Sequence, residues 1–366
     1  MHVPPRFLSS LAALTNVAGL TQVLGRGVED LRIEPLLGVG YSNASLSRVE
    51  VNTSDGECRS FVLKRTRLDE DWTARRTEDA SGREGLFLSE TALAPVWDIF
   101  ACPYVACAAE PGEIGLLLRD LTPELLPDAR VPLSERQEGA LLGALAQLHA
   151  RFWDVSTHAI DWLVRPAQYC DLLAPSVAAD PAALAVLSST LRDTVPRGWA
   201  SALARLPAVV AQHLTRPGFE WERAWADLPR TLLHGDVKVA NFALLTDGRV
   251  AAFDWAMMGA GPCTIDLGWY LAVNASRLTG SKEKIVSRYR TLLETALGHP
   301  LPDQLWSRLE SIGVVCGARM LLWSKALALD LGRPGAQEEW NWWVDRLAGI
   351  RAEVTSGADG LLPANT

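Results

Sequence analysis

The sequence predicts an α+β protein with two lobes: a small N-terminal lobe built on an antiparallel sheet, and a larger, mainly helical C-terminal lobe. Two patterns support this prediction. Between residues 33 and 121, short runs of alternating apolar and polar residues are separated by turns that contain glycine or proline, as is typical of strands. Beyond residue 123, apolar residues recur at helical spacing. We therefore expect a first lobe at 1–118, a hinge at 119–123 and a second lobe at 124–366.

The charge balance argues against a general nucleic-acid binder. The net charge is −8 and the pI is near 5.4, whereas such a protein would need a basic face. A negative surface is compatible with a small cationic partner. Hydrophobic residues make up 48% of the chain and charged residues 21%, so large cores are expected and disorder is not.

The six cysteines show no metal-binding spacing, because none forms a Cys-x-x-Cys pair. Free thiols in a reducing compartment are the simpler interpretation. The N-terminus shows no secretory signal, and no apolar run is expected to be long enough to span a membrane. We therefore expect a cytoplasmic monomer or homodimer without nucleic-acid or membrane partners.

A loop rich in small residues joins the first two predicted strands, with the sequence Gly-Val-Gly-Tyr-Ser-Asn-Ala-Ser at 38–45. Gly40 would let backbone N–H groups approach phosphate oxygens, and Ser42 or Asn43 would add donors. An ordinary hairpin explains the same residues, so both interpretations stay open at this point.

Lys64 ends the apolar run of the next predicted strand, which places its ammonium group near the inner face of the sheet. A solvent-facing lysine fits the same pattern, and Arg65 follows it directly. The next helix is predicted to start at Ser81, which forms a capping-box pattern with Glu84. Glu84 is therefore the candidate partner of Lys64. Glu90 is the rival, on a different face of that helix.

Two further segments are the predicted hinge and the first long helix of the second lobe. The predicted hinge contains Asp120 and Leu121, and a planar ring such as adenine would fit against its exposed backbone groups. A second capping box, at Ser134 and Gln137, begins the first long helix of the second lobe. His149 lies in that helix, where it is predicted to be a hydrogen-bonded core residue.

The most informative stretch follows a short apolar strand in the second half of the chain. It reads His234-Gly235-Asp236 and continues with Lys238 and Asn241, and another short strand then ends at Asp254. Two carboxylates and a carboxamide are thus placed on two neighbouring loops. Such a set can bind a divalent metal and orient a hydroxyl nucleophile.

Taken together, these motifs resemble the aminoglycoside phosphotransferase/choline kinase-like family, within the wider protein-kinase-like fold. They follow one another in the family order from about residue 33 to residue 271: Gly40-Tyr41-Ser42-Asn43, Val62-Leu63-Lys64, Leu116-Leu117-Leu118-x-Asp120-Leu121, His234-Gly235-Asp236-x-x-x-x-Asn241, Phe253-Asp254-Trp255 and Gly261-Pro262-x-x-x-Asp266-Leu267. The chain departs from the family at Ala256, where a glutamate is common, and its glycine loop is not a full G-x-G-x-x-G.

The resemblance implies roles for the residues at the centre of the site. Asp236 would be the catalytic carboxylate, and Lys238 would meet the γ-phosphoryl group, although a solvated loop lysine is the alternative. Asn241 and Asp254 would bind Mg²⁺, and Lys64 would bind the α- and β-phosphates of ATP or GTP.

The remaining residues would support or extend that centre. Glu84 would hold the phosphate-binding lysine, while the small-residue loop and the hinge would contact the nucleotide. His234 and Asp266 resemble scaffold positions of the catalytic loop.

The implied activity is the phosphorylation of a hydroxyl group on a small molecule. An antibiotic, aminoglycoside-like or other, or an amino sugar or sugar is the leading substrate, with choline-like amino alcohols next. A protein kinase is less favoured because Asp-Phe-Gly and Ala-Pro-Glu motifs are absent from the sequence. A nucleotide-binding pseudokinase is the non-enzymatic alternative, and the intact Lys64, Asp236, Asn241 and Asp254 argue against it.

Overall fold

The computed structural model describes residues 4–36, 43–126, 131–154 and 160–350. Within these residues the strands are β1 (Arg6–Phe7), β2 (Val28–Pro35), β3 (Ser45–Thr53), β4 (Cys58–Arg67), β5 (Tyr104–Glu110), β6 (Glu113–Arg119), β7 (Thr231–Leu233), β8 (Phe242–Leu244), β9 (Val250–Ala252) and β10 (Gly259–Gly261). The α-helices are α1 (Val17–Leu24), α2 (Trp72–Arg76), α3 (Arg83–Ser89), α4 (Val96–Ile99), α5 (Glu135–Arg151), α6 (Pro166–Asp171), α7 (Pro175–Ala179), α8 (Pro181–Val186), α9 (Ser189–Arg205), α10 (Ala208–Thr215), α11 (Gly218–Ala224), α12 (Thr264–Val273), α13 (Lys282–Leu297), α14 (Asp303–Asp330) and α15 (Ala336–Ala348). The predicted change from strands to helices is confirmed.

The chain divides into two compact units. The first unit is formed by Met1–Leu126 together with Ala240–Met257, and the second by Pro127–Val239 together with Met258–Thr366. The first unit therefore contains a segment from the middle of the C-terminal half. The expected boundary at residue 118 differs from this division, because Leu121 packs with Ala101, Ala243 and Ala251 in a small core of the first unit. A hinge at 119–123 stays a prediction.

The first unit is built on a six-stranded sheet in the order β1-β5-β6-β4-β3-β2. Neighbouring strands within this sheet are antiparallel, as predicted, except for the parallel pair of β1 and β5. This exception could not be predicted, because β1 has two residues and so shows no alternation. One face of the sheet carries Phe61 and Leu63 and packs with Leu14 and Leu20 of the N-terminal segment. Since side chains alternate along a strand, Lys64 lies on the opposite face.

A two-stranded hairpin, β8–β9, completes the first unit. Isolated bridges join it to Ala101 and to Leu125. Just after the hairpin, the indole of Trp255 is fully buried and lies 5.0 Å from the ring centroid of Phe87 and 5.7 Å from that of Phe100. The end of β9 is thereby anchored in an aromatic core.

The second unit is mainly helical, and it also contains the short antiparallel pair of β7 and β10. The helices α12 and α14 approach so closely that a Cβ on Gly268 would lie 1.9 Å from the carbonyl oxygen of Gly313. The capping box at Ser134 is present, which confirms the predicted start of α5. His149 is fully buried, and its ring nitrogens contact the Tyr289 hydroxyl at 2.5 Å and Asp266 Oδ2 at 3.2 Å, so its predicted core role is confirmed.

Helix α14 corrects one expectation about the chain. By length and composition it is long and apolar enough to cross a membrane, with a mean hydropathy of 1.5 over its most apolar 18-residue window. The expectation that no run would reach this length is therefore wrong. Because 67% of that window is buried inside the protein, core packing within the second unit accounts for its apolar character.

Candidate active site

The first unit contains an ion-paired cluster around Lys64. Its ammonium nitrogen lies 2.6 Å from Glu84 Oε2 and 2.6 Å from Asp254 Oδ1. The lysine side chain is only 12% exposed and that of Glu84 only 4%, so this pair is shielded from water. Burial alone would lower the pKa of Lys64, but the two carboxylates outweigh it and hold the pKa above its ordinary value. Lys64 is thus a fixed positive charge beside Asp254.

The structure decides between the candidates for this cluster. Glu84 is the partner of Lys64, whereas Glu90 ends α3 and accepts a hydrogen bond from the backbone of Ala92. Arg65 points away and pairs with Glu113 at 2.7 Å. The prediction of Lys64 with Glu84 is therefore confirmed as a contact.

The predicted capping box of α3 is wrong. The residue before the helix is Gly82 at φ +77°, and it provides no side-chain cap. The carboxylate of Asp79 instead accepts hydrogen bonds from the backbone N–H groups of Gly82 and Arg83, at 2.9 and 2.8 Å. The box fails because the carboxylate of Glu84 turns to Lys64 rather than back to the start of the helix.

Asp254 has a backbone conformation that few non-glycine residues adopt, with φ at +63°. Left-handed backbone at a non-glycine residue costs about 1–3 kcal/mol and is often found at functional sites. The side chain is 31% exposed, so it is only partly buried.

Asn241, the other predicted metal ligand, is 3% exposed and precedes β8. The backbone N–H of Phe253 donates to the backbone carbonyl oxygen of Asn241 at 3.1 Å, so Asn241 and Asp254 flank the same end of the hairpin. Within the described residues, no cluster of three or more His, Cys, Asp or Glu could hold a metal. A carboxylate and a carboxamide oxygen suit Mg²⁺ that shares its remaining ligands with phosphates and water.

Two contacts in this unit were not predicted. The hydroxyl of Tyr104, a residue assigned only to a strand, donates to Glu84 Oε1 at 2.6 Å. The guanidinium of Arg83 donates to the carbonyl oxygen of Ala256 at 2.7 Å, at the position where the family often has glutamate. Pattern analysis gave no reason to select either residue, because each acts through a partner far away in the chain.

The second unit contains the loop after β7. Asp266, fully buried in the first turn of α12, accepts hydrogen bonds from the backbone N–H groups of His234 and Gly235, each at 2.8 Å. The N–H of Asp236 in turn donates to His234 Nδ1 at 3.3 Å. These contacts agree with the predicted scaffold roles of His234 and Asp266, since they fix the backbone that carries Asp236.

Both carboxylate oxygens of Asp236 have partners. The indole N–H of Trp269 donates to Oδ1 at 2.7 Å, and the ammonium of Lys238 lies 2.8 Å from Oδ2. Trp269 was not among the predicted site residues. Its position offered a signal, because a residue three places after Asp266 on a helix lies on the same face and so points towards the same loop.

Asn274, also missed, holds the next part of the loop. Its Oδ1 accepts from the backbone N–H of Val239 at 2.9 Å, and its Nδ2 donates to the carbonyl oxygen of Val237 at 2.9 Å. A single buried carboxamide therefore replaces two backbone partners that this loop would find in a regular strand or helix.

The structure does not test the nucleotide contacts predicted for the small-residue loop. Gly40 and Ser42 lie outside the described residues. Asn43 donates its side-chain amide to the carbonyl oxygen of Glu70 at 2.6 Å. The roles of all three residues stay predictions.

The two hinge residues use their polar groups internally. The carboxylate of Asp120 accepts from the hydroxyls of Ser60 and Thr122, and the Leu121 carbonyl accepts from two backbone N–H groups of the following turn. Burial would raise the pKa of Asp120, but these hydrogen bonds outweigh it and lower the pKa. Contacts of Asp120 and Leu121 with an adenine ring stay predictions, and the internal bonds count against the Asp120 side chain as a ligand.

Comparison with known families gives one match. The family described as phosphotransferase enzyme family matches residues 37–303 of this chain. The matched stretch covers well over half of the 366 residues and contains all the site residues described above. No curated protein matches the sequence.

Three phosphotransferases are among the solved structures that are similar to this chain. A macrolide 2′-phosphotransferase from Brachybacterium faecium has 19% identity and a TM-score of 0.45, covering 91% of this chain and 97% of that one. A choline kinase from Streptococcus pneumoniae has 12% identity and a TM-score of 0.45, with the same coverage. An aminoglycoside-3′-phosphotransferase of type VIII has 16% identity and a TM-score of 0.41, covering 78% and 93%. At these identities and TM-scores, the similarities do not indicate the acceptor.

Proposed function

The chain belongs to the phosphotransferase enzyme family and is a small-molecule kinase with a hydroxyl acceptor, and from this premise we propose its co-substrate, metal and acceptor class. It transfers the γ-phosphoryl group of ATP or GTP, with Mg²⁺, to a hydroxyl of an antibiotic, an amino sugar or a sugar. The observation that carries the proposal is the Asp236 carboxylate, held between Trp269 and Lys238 on a loop braced by Asp266.

Asp236 orients the acceptor hydroxyl and takes up its proton. The indole of Trp269 keeps one carboxylate oxygen in place, and the other becomes available when Lys238 turns to the phosphate. Lys238 is suited to that exchange because its side chain is 29% exposed and carries a flexible, compact charge. As the lysine moves, the positive charge that neutralised Asp236 comes to lie beside the γ-phosphoryl group, where negative charge develops.

Lys64 binds the α- and β-phosphates. Its ammonium group leaves Asp254 for the phosphates and stays paired with Glu84. Asn241 and Asp254 would hold Mg²⁺ through their side-chain oxygens, and the bound ion would neutralise charge on the phosphates. The roles of these residues rest on their fit to the site, since hard oxygen donors and a buried cation suit a triphosphate.

The charge of the protein is compatible with part of this acceptor class. With a net charge of −8, the protein as a whole attracts a small cation more than a small anion. An aminoglycoside-like antibiotic or an amino sugar meets this condition, and choline or another amino alcohol is the second candidate for the same reason. We place the reaction in the cytoplasm, where ATP and GTP are supplied.

A screen of acceptors tests the proposal. Purified protein is incubated with Mg²⁺, either ATP or GTP, and a panel of antibiotics, amino sugars, sugars and amino alcohols, and nucleoside diphosphate release is measured. We expect release with at least one of these hydroxylated acceptors. Nucleotide binding without release on any acceptor would instead support a pseudokinase, and transfer to peptides alone would support a protein kinase.

With the acceptor in hand, Asp236→Asn tests the central residue. Removing a general base lowers the rate by about 10²- to 10⁴-fold, so kcat should fall by that factor while nucleotide binding is retained. Asp227→Asn is the matched control, because Asp227 pairs with Arg308 at 2.8 Å in the same unit and has no role in the site. Near-normal turnover of Asp236→Asn would refute the assignment.

A further inference from the structure

Tyr104, the first residue of β5, has a hydroxyl that the mechanism above does not use. The side chain is 3% exposed, and its ring meets Trp97 edge-on with 5.9 Å between centroids. A buried hydroxyl needs a partner, since leaving one without a hydrogen bond costs about 1–3 kcal/mol. Here the hydroxyl donates to Glu84 Oε1 at 2.6 Å.

The same hydroxyl also accepts a hydrogen bond from the backbone N–H of Asp254 at 3.2 Å. Asp254 is the residue at φ +63°, so this bond holds the main chain at the place where it is strained. The adjacent N–H of Trp255 donates to Glu84 Oε1 at 3.2 Å. Tyr104 and Glu84 therefore bind two successive backbone amides in the turn that carries Asp254.

These contacts close a ring. Lys64 pairs with Glu84 and with Asp254 through their carboxylates, and Tyr104 joins the same two residues through its hydroxyl. All four residues belong to the first unit. The ring thus connects the lysine assigned to the phosphates with the aspartate assigned to Mg²⁺.

The two sides of the ring would respond differently to the nucleotide of the proposed function. Binding would replace the Lys64–Asp254 pair, because both groups would turn to the ligand. The bonds of Tyr104 involve the backbone of Asp254 and the other oxygen of Glu84, so they would be retained. Tyr104 would then still restrain the direction in which the Asp254 side chain leaves the main chain.

We infer that Tyr104 is a positioning residue, whose hydroxyl holds Asp254 in its left-handed conformation so that the carboxylate faces the metal–nucleotide complex. The inference rests on the proposed function, in which Asp254 binds Mg²⁺. It assigns to a strand residue a part in metal-dependent nucleotide binding that neither the family motifs nor the sequence pattern indicates.

The test is Tyr104→Phe, which keeps the ring and its packing on Trp97 and removes the hydroxyl alone. ADP affinity is measured by calorimetry with Mg²⁺ and with EDTA, so that no transfer is required. We expect affinity to fall about tenfold with Mg²⁺, the equivalent of one hydrogen bond of about 1.4 kcal/mol, and by less than about twofold with EDTA. A purely structural role would lower both affinities equally or neither.

Tyr270→Phe is the matched control. It removes another buried hydroxyl that donates to a carboxylate, that of Glu138 at 3.0 Å, in the second unit. We expect it to lower thermal stability and to leave the ratio of the two ADP affinities unchanged. If Tyr270→Phe changes that ratio as Tyr104→Phe does, the inference is overturned.

A second measurement needs no variant. Amide hydrogen exchange at Asp254 should be slow in the wild-type protein and remain slow with Mg²⁺–ADP, and rapid exchange in either state would overturn the inference. ADP binding that is independent of Mg²⁺ in the wild type would overturn the metal role of Asp254 and the inference together. Mg²⁺-dependent binding that Tyr104→Phe does not weaken would overturn the inference alone.

Discussion

At the scale of single residues, a catalytic side chain depends on the donors around it. Asp236 has one partner on a rigid helix, Trp269, and one on its own loop, Lys238. A carboxylate with both oxygens engaged is held in one rotamer, so little entropy is lost when the acceptor hydroxyl binds. In the proposed mechanism the donor on the helix stays when the lysine leaves, and it therefore sets the direction of the remaining oxygen.

Trp269→Phe tests this dependence, because it keeps an aromatic ring and removes the indole N–H. A hydrogen bond to a charged group contributes about 1.5–3 kcal/mol, so we expect kcat to fall by roughly tenfold or more. The KM for nucleotide should not change, since Trp269 acts on the acceptor side. Steady-state kinetics of nucleoside diphosphate release measure both values.

Trp342→Phe serves as the control for Trp269→Phe. The indole of Trp342 also donates to a carboxylate, that of Glu283, but in the pair of helices α13 and α15. The kcat of Trp342→Phe should equal that of the wild type. Equal rates for both variants would show that the bond from Trp269 has no part in positioning Asp236.

At the scale of elements, the start of α3 shows how a local pattern is overruled. Ser81 and Glu84 have the spacing of a capping box, yet Asp79 caps the helix and Glu84 pairs with Lys64. A carboxylate gains more from a buried ammonium than from one exposed backbone N–H. The helix keeps its cap because Asp79 lies close enough to reach the first amides.

Asp79→Ala and Ser81→Ala test this assignment as a pair. Loss of a capping side chain costs about 0.5–2 kcal/mol, so Asp79→Ala should lower the free energy of unfolding by about 1–2 kcal/mol. Ser81→Ala, at an exposed position, should stay within about 0.5 kcal/mol of the wild type. Urea denaturation gives both values. A larger loss of stability in Ser81→Ala than in Asp79→Ala would instead support the predicted capping box.

At the scale of the whole molecule, each unit has its own means of cohesion. The first unit combines a sheet with a hairpin from a later part of the chain, so its core cannot be completed before residue 257 has been synthesised. The second unit depends on close helix contacts. Around Gly268, Gly313 and Gly317, the backbones of α12 and α14 meet with no space for a side chain.

Gly268→Ala should therefore destabilise the protein. The new Cβ would lie 1.9 Å from the Gly313 carbonyl oxygen, so the two helices must move apart. Overpacking of this kind costs about 1–3 kcal/mol, and we expect a value near the upper end, about 3 kcal/mol, because the obstacle is backbone. Thermal and urea unfolding measure the loss.

Gly143→Ala is the counterpart within the same unit. Gly143 lies inside α5, and a Cβ there would have no heavy atom within 4 Å. Because alanine is the better helix former by about 1 kcal/mol, this variant should be slightly more stable than the wild type. A similar loss in both variants would mean that helix contacts at Gly268 are not the cause.

The fold class and most of the elements followed from the sequence because they depend on local information. The alternation around Phe61 and Leu63, and the spacing of apolar residues after Ser134, each specify one element. The family followed from motifs such as His234 to Asn241, because they stand in the order that is typical of the family they resemble. The match to the phosphotransferase enzyme family confirmed it.

Other features depend on residues far apart in the chain, and the pattern of a segment does not contain them. The choice of Glu84 over Glu90, the bond from Trp269 to Asp236 and the contacts of Tyr104 each arise where distant segments meet. The entry of residues 240–257 into the first unit is of the same kind. A motif names the groups that chemistry needs, whereas packing in three dimensions decides which side chains hold those groups in place.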